Sequence, residues 1–173
     1  PMNPSPLDPP PIVLVASGAS RAGQEAYQAL ASVCRSRFPA HALHWVFAPR
    51  GVRGGRAREG RDLPPPPAEA FAALQASGRV PVVQTLLLLC GMEFHDLIRS
   101  VRRFWPGAPI GLPLLSGDGD VAALTEALAP EVEGAGDEGL LWVGHGTGHP
   151  SGLAYQALTA VWRQRFGPRV ALG

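Results

Sequence analysis

The sequence predicts an α/β protein: a parallel sheet flanked by helices, followed by the start of a second, similar half. Two observations carry this. First, the chain contains an internal repeat. Ala26-Tyr27-Gln28-Ala29-Leu30 returns as Ala154-Tyr155-Gln156-Ala157-Leu158, and Val33, Arg35, Arg37 and Phe38 return as Val161, Arg163, Arg165 and Phe166. The offset is 128 throughout, and 9 of the 13 positions from 26 to 38 are identical. A fixed period of this kind marks a duplicated structural unit. Second, short apolar runs alternate with segments of helical periodicity. That order implies parallel strands joined by right-handed crossovers.

The elements follow in order. Ile12-Val13-Leu14-Val15 is a fully apolar run, as a buried parallel strand requires. Gly18 and Ser20 turn the chain into a helix over 22–38, with Tyr27, Leu30, Val33 and Cys34 along one stripe. Pro39 closes it, and 42–48 is a second strand. Residues 49–67 are Arg, Gly and Pro in a loop composition. A short helix over 68–76 ends at Gly78. The most hydrophobic segment, 80–89, is expected to be the central strand, with Gly91 at its exit. Phe94, Leu97, Ile98, Val101 and Trp105 define a helix over 93–105. A strand over 109–115, a turn at Gly117–Asp120 and a helix over 121–128 complete the first half, and 131–139 has the composition of a linker. The repeat then restarts: strand 140–143, helix 151–166, strand 169–172. The domain division is therefore a Pro-rich tail over 1–11, a first four-stranded, flavodoxin-like half over 12–136, and the beginning of a second half over 137–173. That second half stops after strand, helix and strand, so the chain reads as truncated.

Composition narrows the function. Apolar residues make up 46% of the 173, enough for a real core. The net charge of +1 argues against a general nucleic-acid or membrane-surface binder. All 15 basic residues are Arg, which keep their charge and grip carboxylates in a bidentate way. Cys34 and Cys90 form no C-x-x-C pair, which fits reduced thiols in a cytoplasmic protein. The Pro-rich start lacks the features of a secretory signal, and no apolar run is long enough to span a bilayer.

In open parallel sheets, ligands sit beyond the carboxyl ends of the strands. That rule selects three loops: 17–21, 90–93 and 144–150. The last is the sharpest. Val143-Gly144-His145-Gly146-Thr147-Gly148-His149-Pro150 places His145 at the end of a strand, between glycines that let backbone and ligand approach. A neutral imidazole there can bind a metal or move a proton; the alternative is a His that caps its own loop. His149 is four residues on, but Gly-Thr-Gly between them is no helix, so a two-His zinc clamp is not expected. His149 is a candidate substrate contact, weighed against a solvated loop residue. At the offset of 128, His145 aligns with Ser17 and His149 with Arg21, so the first copy has the loop scaffold without the imidazole. Glu93 is a candidate proton acceptor or metal contact, weighed against a carboxylate that merely complements its helix dipole. The Arg50, Arg53, Arg56, Arg58, Arg61 cluster could hold an acidic ligand or be a solvated loop. Ser17-Gly18-Ala19-Ser20 lacks the Gly-Lys-Ser/Thr ending of a nucleotide-binding loop.

These motifs resemble those of the sirohydrochlorin cobaltochelatases of the CbiK type, which are class II chelatases. The resemblance lies in Gly144-His145-Gly146-Thr147-Gly148-His149-Pro150 with its following helix, in Val83-Gln84-Thr85-Leu86 leading to Gly91-Met92-Glu93-Phe94, and in Val13-Leu14-Val15-Ala16-Ser17-Gly18-Ala19-Ser20. It covers nearly the whole chain from Ile12. It implies a chelatase-like fold of two flavodoxin-like halves around a cleft. It also implies insertion of Co²⁺ into a tetrapyrrole during anaerobic cobalamin biosynthesis, without a nucleotide or other energy source. On the resemblance, His145 is the metal contact and proton acceptor, and Glu93 the second catalytic group. Ser17, Gly18, Ser20 and His149 would contact the substrate. The pattern departs at Leu87, where the family has a His, at Ser151-Gly152 in place of Ala-Asn, and at Gly173, where the family continues to a second cleft His. Two other functions are compatible with these departures: a binding module for tetrapyrrole or metal without turnover, and a half that works as a homo-oligomer.

Overall fold

In a computed structural model of the chain, residues 9–17, 21–48, 67–117, 119–136, 138–144 and 146–173 are described. They form two compact units. One comprises Pro1–Leu87 and Glu93–Leu112, the other Leu88–Met92 and Pro113–Gly173.

The first unit holds a four-stranded parallel sheet. Its strands are β1 (Ile12–Ser17), β2 (Leu43–Ala48), β3 (Val82–Thr85) and β4 (Ile110–Gly111), in the order β2-β1-β3-β4. The first two are joined by α1 (Arg21–Arg37), and α2 (Pro67–Gln75) and α3 (Met92–Phe104) follow β2 and β3. The α/β parallel architecture is thus as the sequence predicts. Val13, Leu14, Val15 and Ala16 are all buried, so β1 is covered on both faces, as its continuous apolar run requires. Helix α3 forms because Phe94, Leu97 and Val101 recur on one face and are buried there, while Glu93, Arg102 and Arg103 complement its dipole. Phe71 of α2 is fully buried, edge-on to Phe104 (6.0 Å) and Trp105 (5.6 Å). Such aromatic pairs add about 0.5–1.5 kcal/mol each beyond area burial.

Two predicted strands are shorter than the sequence suggests. Of 80–89, only Val82–Thr85 pairs as a strand. Leu86 still donates its N–H to the Val15 carbonyl (2.7 Å), but Leu88 is already exposed. Leu89 returns to bridge Leu115, and of 109–115 only Ile110–Gly111 is a strand. Gln84 accounts for part of this edge. Its amide donates to the carbonyl of Leu112 (3.2 Å) and lies across Gly111, where any Cβ would collide with it.

The second unit holds α4 (Asp120–Gly134), β5 (Leu140–Trp142), α5 (Leu153–Phe166) and β6 (Val170–Leu172), with a 3-10 turn at Pro150–Gly152 before α5. Strands β5 and β6 are parallel. Helix α4 runs past Pro130, so part of the expected linker is helical. A proline removes one helical donor, yet Ala129 and Val132 on either side of it are buried, and that burial holds the last turn in place. The core of this unit is Leu115, Val132, Leu158, Trp162 and Val170. The Trp162 indole donates to the Thr125 hydroxyl (3.1 Å), which donates to the Val121 carbonyl (2.7 Å) and so ties α5 to α4.

Candidate functional site

The repeat predicted from sequence has a structural counterpart. β5-α5-β6 repeats the parallel strand-helix-strand of β1-α1-β2. Ile12 pairs with Leu43 and Leu140 with Val170, so the second connection is one residue shorter. The ladder continues past the second pair of strands, with Gly144 N–H bonded to the Gly173 carbonyl (2.8 Å) and Gly173 N–H to the Trp142 carbonyl (2.9 Å). The glycine loop therefore leaves from the carboxyl end of a parallel pair, where the topology puts ligand sites.

His145 itself lies outside the described residues, as do Gly18, Ser20 and the Arg cluster over 50–61. Its chain neighbours are described. Gly144 sits under Tyr155 of α5, so that a Cβ at 144 would lie 3.4 Å from the ring. Gly146 adopts φ +66°, a left-handed conformation that a side chain at 146 would strain. Gly144 and Gly146 line a cavity of about 250 Å³ together with Tyr155, Gln156, Thr159, Leu172 and Gly173.

His149 caps the turn that precedes α5. The backbone N–H of Ser151 donates to its Nδ1 (3.1 Å), and the Ser151 hydroxyl lies 3.0 Å from the same nitrogen. An N–H can only donate, so Nδ1 accepts and the ring proton of a neutral His149 belongs on Nε2. The backbone N–H of His149 in turn donates to the Thr147 hydroxyl (3.1 Å). Ser151 also closes on the neighbouring loop, its hydroxyl 3.7 Å from where a Cβ on Gly91 would stand. Two of the sequence-selected loops, 90–93 and 144–150, thus meet within the second unit through Gly91 and Ser151.

The other candidates lie in the first unit. Ser17 ends β1, half-buried, and its carbonyl accepts from the Tyr27 hydroxyl (3.2 Å). Glu93 stands in the first turn of α3, exposed. Leu87, at the position where the family pattern has a His, is buried. Cys90, half-buried, lies 3.3 Å from the Ser116 hydroxyl. Asp120, in the turn after β4, accepts from the backbone N–H groups of Ser116 (2.8 Å) and Gly117 (2.6 Å). Those two bonds hold its carboxyl below the usual carboxylate range. Among the described residues, no three His, Cys, Asp or Glu side chains come together as a metal cluster, and no helix is long and apolar enough to cross a membrane.

Tyr155 is the residue that sequence reading passed over. It was visible there as half of a repeated Tyr-Gln-Ala-Leu, but only the pairing of the strands gives it a place beside the glycine loop.

Comparison with known proteins decides the family. The family model for cobalt chelatase (CbiK) matches residues 10–173. The chain belongs to the cobalt chelatase (CbiK) family. It is 30% identical over 177 residues to the sirohydrochlorin cobaltochelatase CbiKC of Nitratidesulfovibrio vulgaris, a match covering 94% of this chain and 60% of that protein. It is 32% identical over 125 residues to the sirohydrochlorin cobaltochelatase of Salmonella typhimurium, covering 69% of this chain and 47% of that protein. The chain thus spans less than two thirds of the length of either cobalt chelatase relative. The match to the CbiK family takes in all three loops that the strand-end rule selects, 17–21, 90–93 and 144–150.

Proposed function

We propose that this chain inserts Co²⁺ into sirohydrochlorin, as a cytoplasmic step of anaerobic cobalamin biosynthesis and without a nucleotide. The observation that carries the reading is the cobalt chelatase family match over residues 10–173, which includes the glycine-flanked His145. The chemistry suits the residues. As Co²⁺ enters the macrocycle, two pyrrole N–H protons must leave. An imidazole with a pKa near neutrality is the side chain best matched to take a proton there. Co²⁺ is also well served by imidazole and carboxylate ligands. His145 is assigned proton removal and the passing metal contact. Glu93, exposed at the start of α3, is assigned the second acceptor. Ser17, Gly18, Ser20 and His149 are assigned to substrate contact. The tetrapyrrole itself supplies the final nitrogen ligands, so no complete protein cage is needed.

Two features favour a second reading, binding of tetrapyrrole or metal without turnover, alone or as a homo-oligomer: the buried Leu87 and the partial span of the relatives. One assay separates the two. Sirohydrochlorin and Co²⁺ are mixed with wild type and His145→Ala, and insertion is followed by absorbance. The first reading expects the variant to be slower by about 10²–10⁴-fold, the usual worth of a positioned acid or base. Equal rates remove His145 from the mechanism, and tetrapyrrole binding without insertion by wild type selects the second reading.

A further inference from the structure

The two copies of the repeated tyrosine are used differently, and the difference marks a ligand contact. In the first copy Tyr27 is spent on the fold. Its hydroxyl donates to the Ser17 carbonyl (3.2 Å), and its ring packs on Trp45 (5.2 Å) and Phe47 (5.9 Å) of β2. In the second copy those aromatic neighbours are gone. Register shows why: Leu14 pairs with Trp45, but Trp142 pairs with Leu172, so the large aromatic has moved from the second strand of the unit to the first. Trp142 now packs on Trp162 (5.7 Å) deeper in the core. Tyr155 is left half-buried, lining the cavity of about 250 Å³ with Gly144 and Gly146, and its hydroxyl has no partner among the described residues. Thr159, also in the lining, already donates its hydroxyl to the Tyr155 carbonyl (2.7 Å). The polar groups left to serve a ligand are the Tyr155 hydroxyl and the Gln156 amide, and both can donate.

We propose that Tyr155, with Gln156, receives a carboxylate side arm of the tetrapyrrole in this cavity, beside the loop that carries His145. The cavity is too small for a macrocycle but suited to one acetate- or propionate-sized arm. Two neutral donors and an apolar wall are a fitting seat for one carboxylate, because a donor to a charged acceptor is worth about twice a neutral pair. The inference rests on the tetrapyrrole reading above and deepens it.

The test is equilibrium titration of metal-free sirohydrochlorin, followed by absorbance, against wild type, Tyr155→Phe and Gln156→Glu. Tyr155→Phe is expected to weaken binding about tenfold, the cost of one hydrogen bond to a charged group, with Tm unchanged. Gln156→Glu, at an exposed position that tolerates the change, is expected to weaken it further by repelling the arm. Methyl esterification of the ligand's carboxylates should abolish the difference between wild type and Gln156→Glu. Wild-type binding with no loss in Tyr155→Phe overturns this inference alone. No binding by wild type overturns the tetrapyrrole reading and this inference with it.

Discussion

The first and second copies of the repeat share a helix sequence and a strand order but bury themselves differently. β1 is covered on both faces, with Val13, Leu14, Val15 and Ala16 all buried. β5 is covered on one. Trp142 faces the core beside Trp162, whereas Leu141 is 66% exposed and Val143 79%. The same alternation governs the helices. Cys34 in α1 becomes Trp162 in α5 at the offset of 128, and the half-buried thiol gives way to a buried indole bonded to Thr125. A duplicated backbone therefore tolerates a wholesale exchange of bulk, provided that each copy keeps one strand-helix face filled. The copy that moved its aromatics inward is also the copy whose tyrosine and glycines open onto a cavity.

The sharpest way to break this comparison is to give the second copy the first copy's residue. Trp162→Cys removes the ring that packs on Trp142 and the donor to Thr125. Large-to-small changes at buried aromatics cost about 3–5 kcal/mol. Denaturant unfolding followed by near-ultraviolet circular dichroism should show a loss of that size, concentrated in the signals of the second unit. A loss below about 1 kcal/mol would mean that the indole is not the centre of that core. Thr125→Val is the milder version. It preserves shape but leaves the Trp162 N–H buried and unpaired, at about 1–3 kcal/mol. The Trp162→Cys, Thr125→Val double variant should then cost little more than Trp162→Cys alone, since the group left unpaired has gone.

Much of this architecture was legible because its causes are local. The run at 12–15 is apolar without interruption, and only a strand buried on both faces uses such a run at that length. The stripe of Phe94, Leu97 and Val101 fixes α3 in the same way. The repeat announced β5-α5-β6 before any pairing was known. The segment 80–89 was less legible. Its Leu-rich end looks like strand, but periodicity cannot separate a paired strand from buried irregular chain, and the sheet edge stops where Gln84 crosses Gly111. Helix α4 outran its predicted end because the burial of Ala129 and Val132 overrides what Pro130 signals locally. At the candidate site, the glycine loop and its place at a strand end were readable. The cap formed by His149 and the exposure of Tyr155 were not. Both depend on what the neighbouring strand and turn bring near, and β6 lacks the aromatics that β2 has only because of a change in register partners.

The smallest effect tests the comparison at its finest point. Gly144 occupies the place of Ala16 at the offset of 128. In the first copy the Ala16 methyl is fully buried, and Ala16→Gly should cost about 0.5–1 kcal/mol through lost contact and added chain freedom. In the second copy the reverse change, Gly144→Ala, would place a methyl 3.4 Å from the Tyr155 ring carbon and 3.5 Å from its hydroxyl oxygen. Those distances are tight without being a clash, so the ring need give by only a few tenths of an ångström. Stability should change by less than about 0.5 kcal/mol, as at other sites away from core, cap or buried polar features. The cavity, however, loses the room of one methyl group beside the hydroxyl. If Tyr155 seats a side arm there, Gly144→Ala weakens sirohydrochlorin binding several-fold at unchanged Tm, while Ala16→Gly lowers Tm. If Gly144→Ala instead lowers Tm as much as Ala16→Gly does, the two copies pack this position alike, and Gly144 is glycine for the backbone's sake, not for the cavity's.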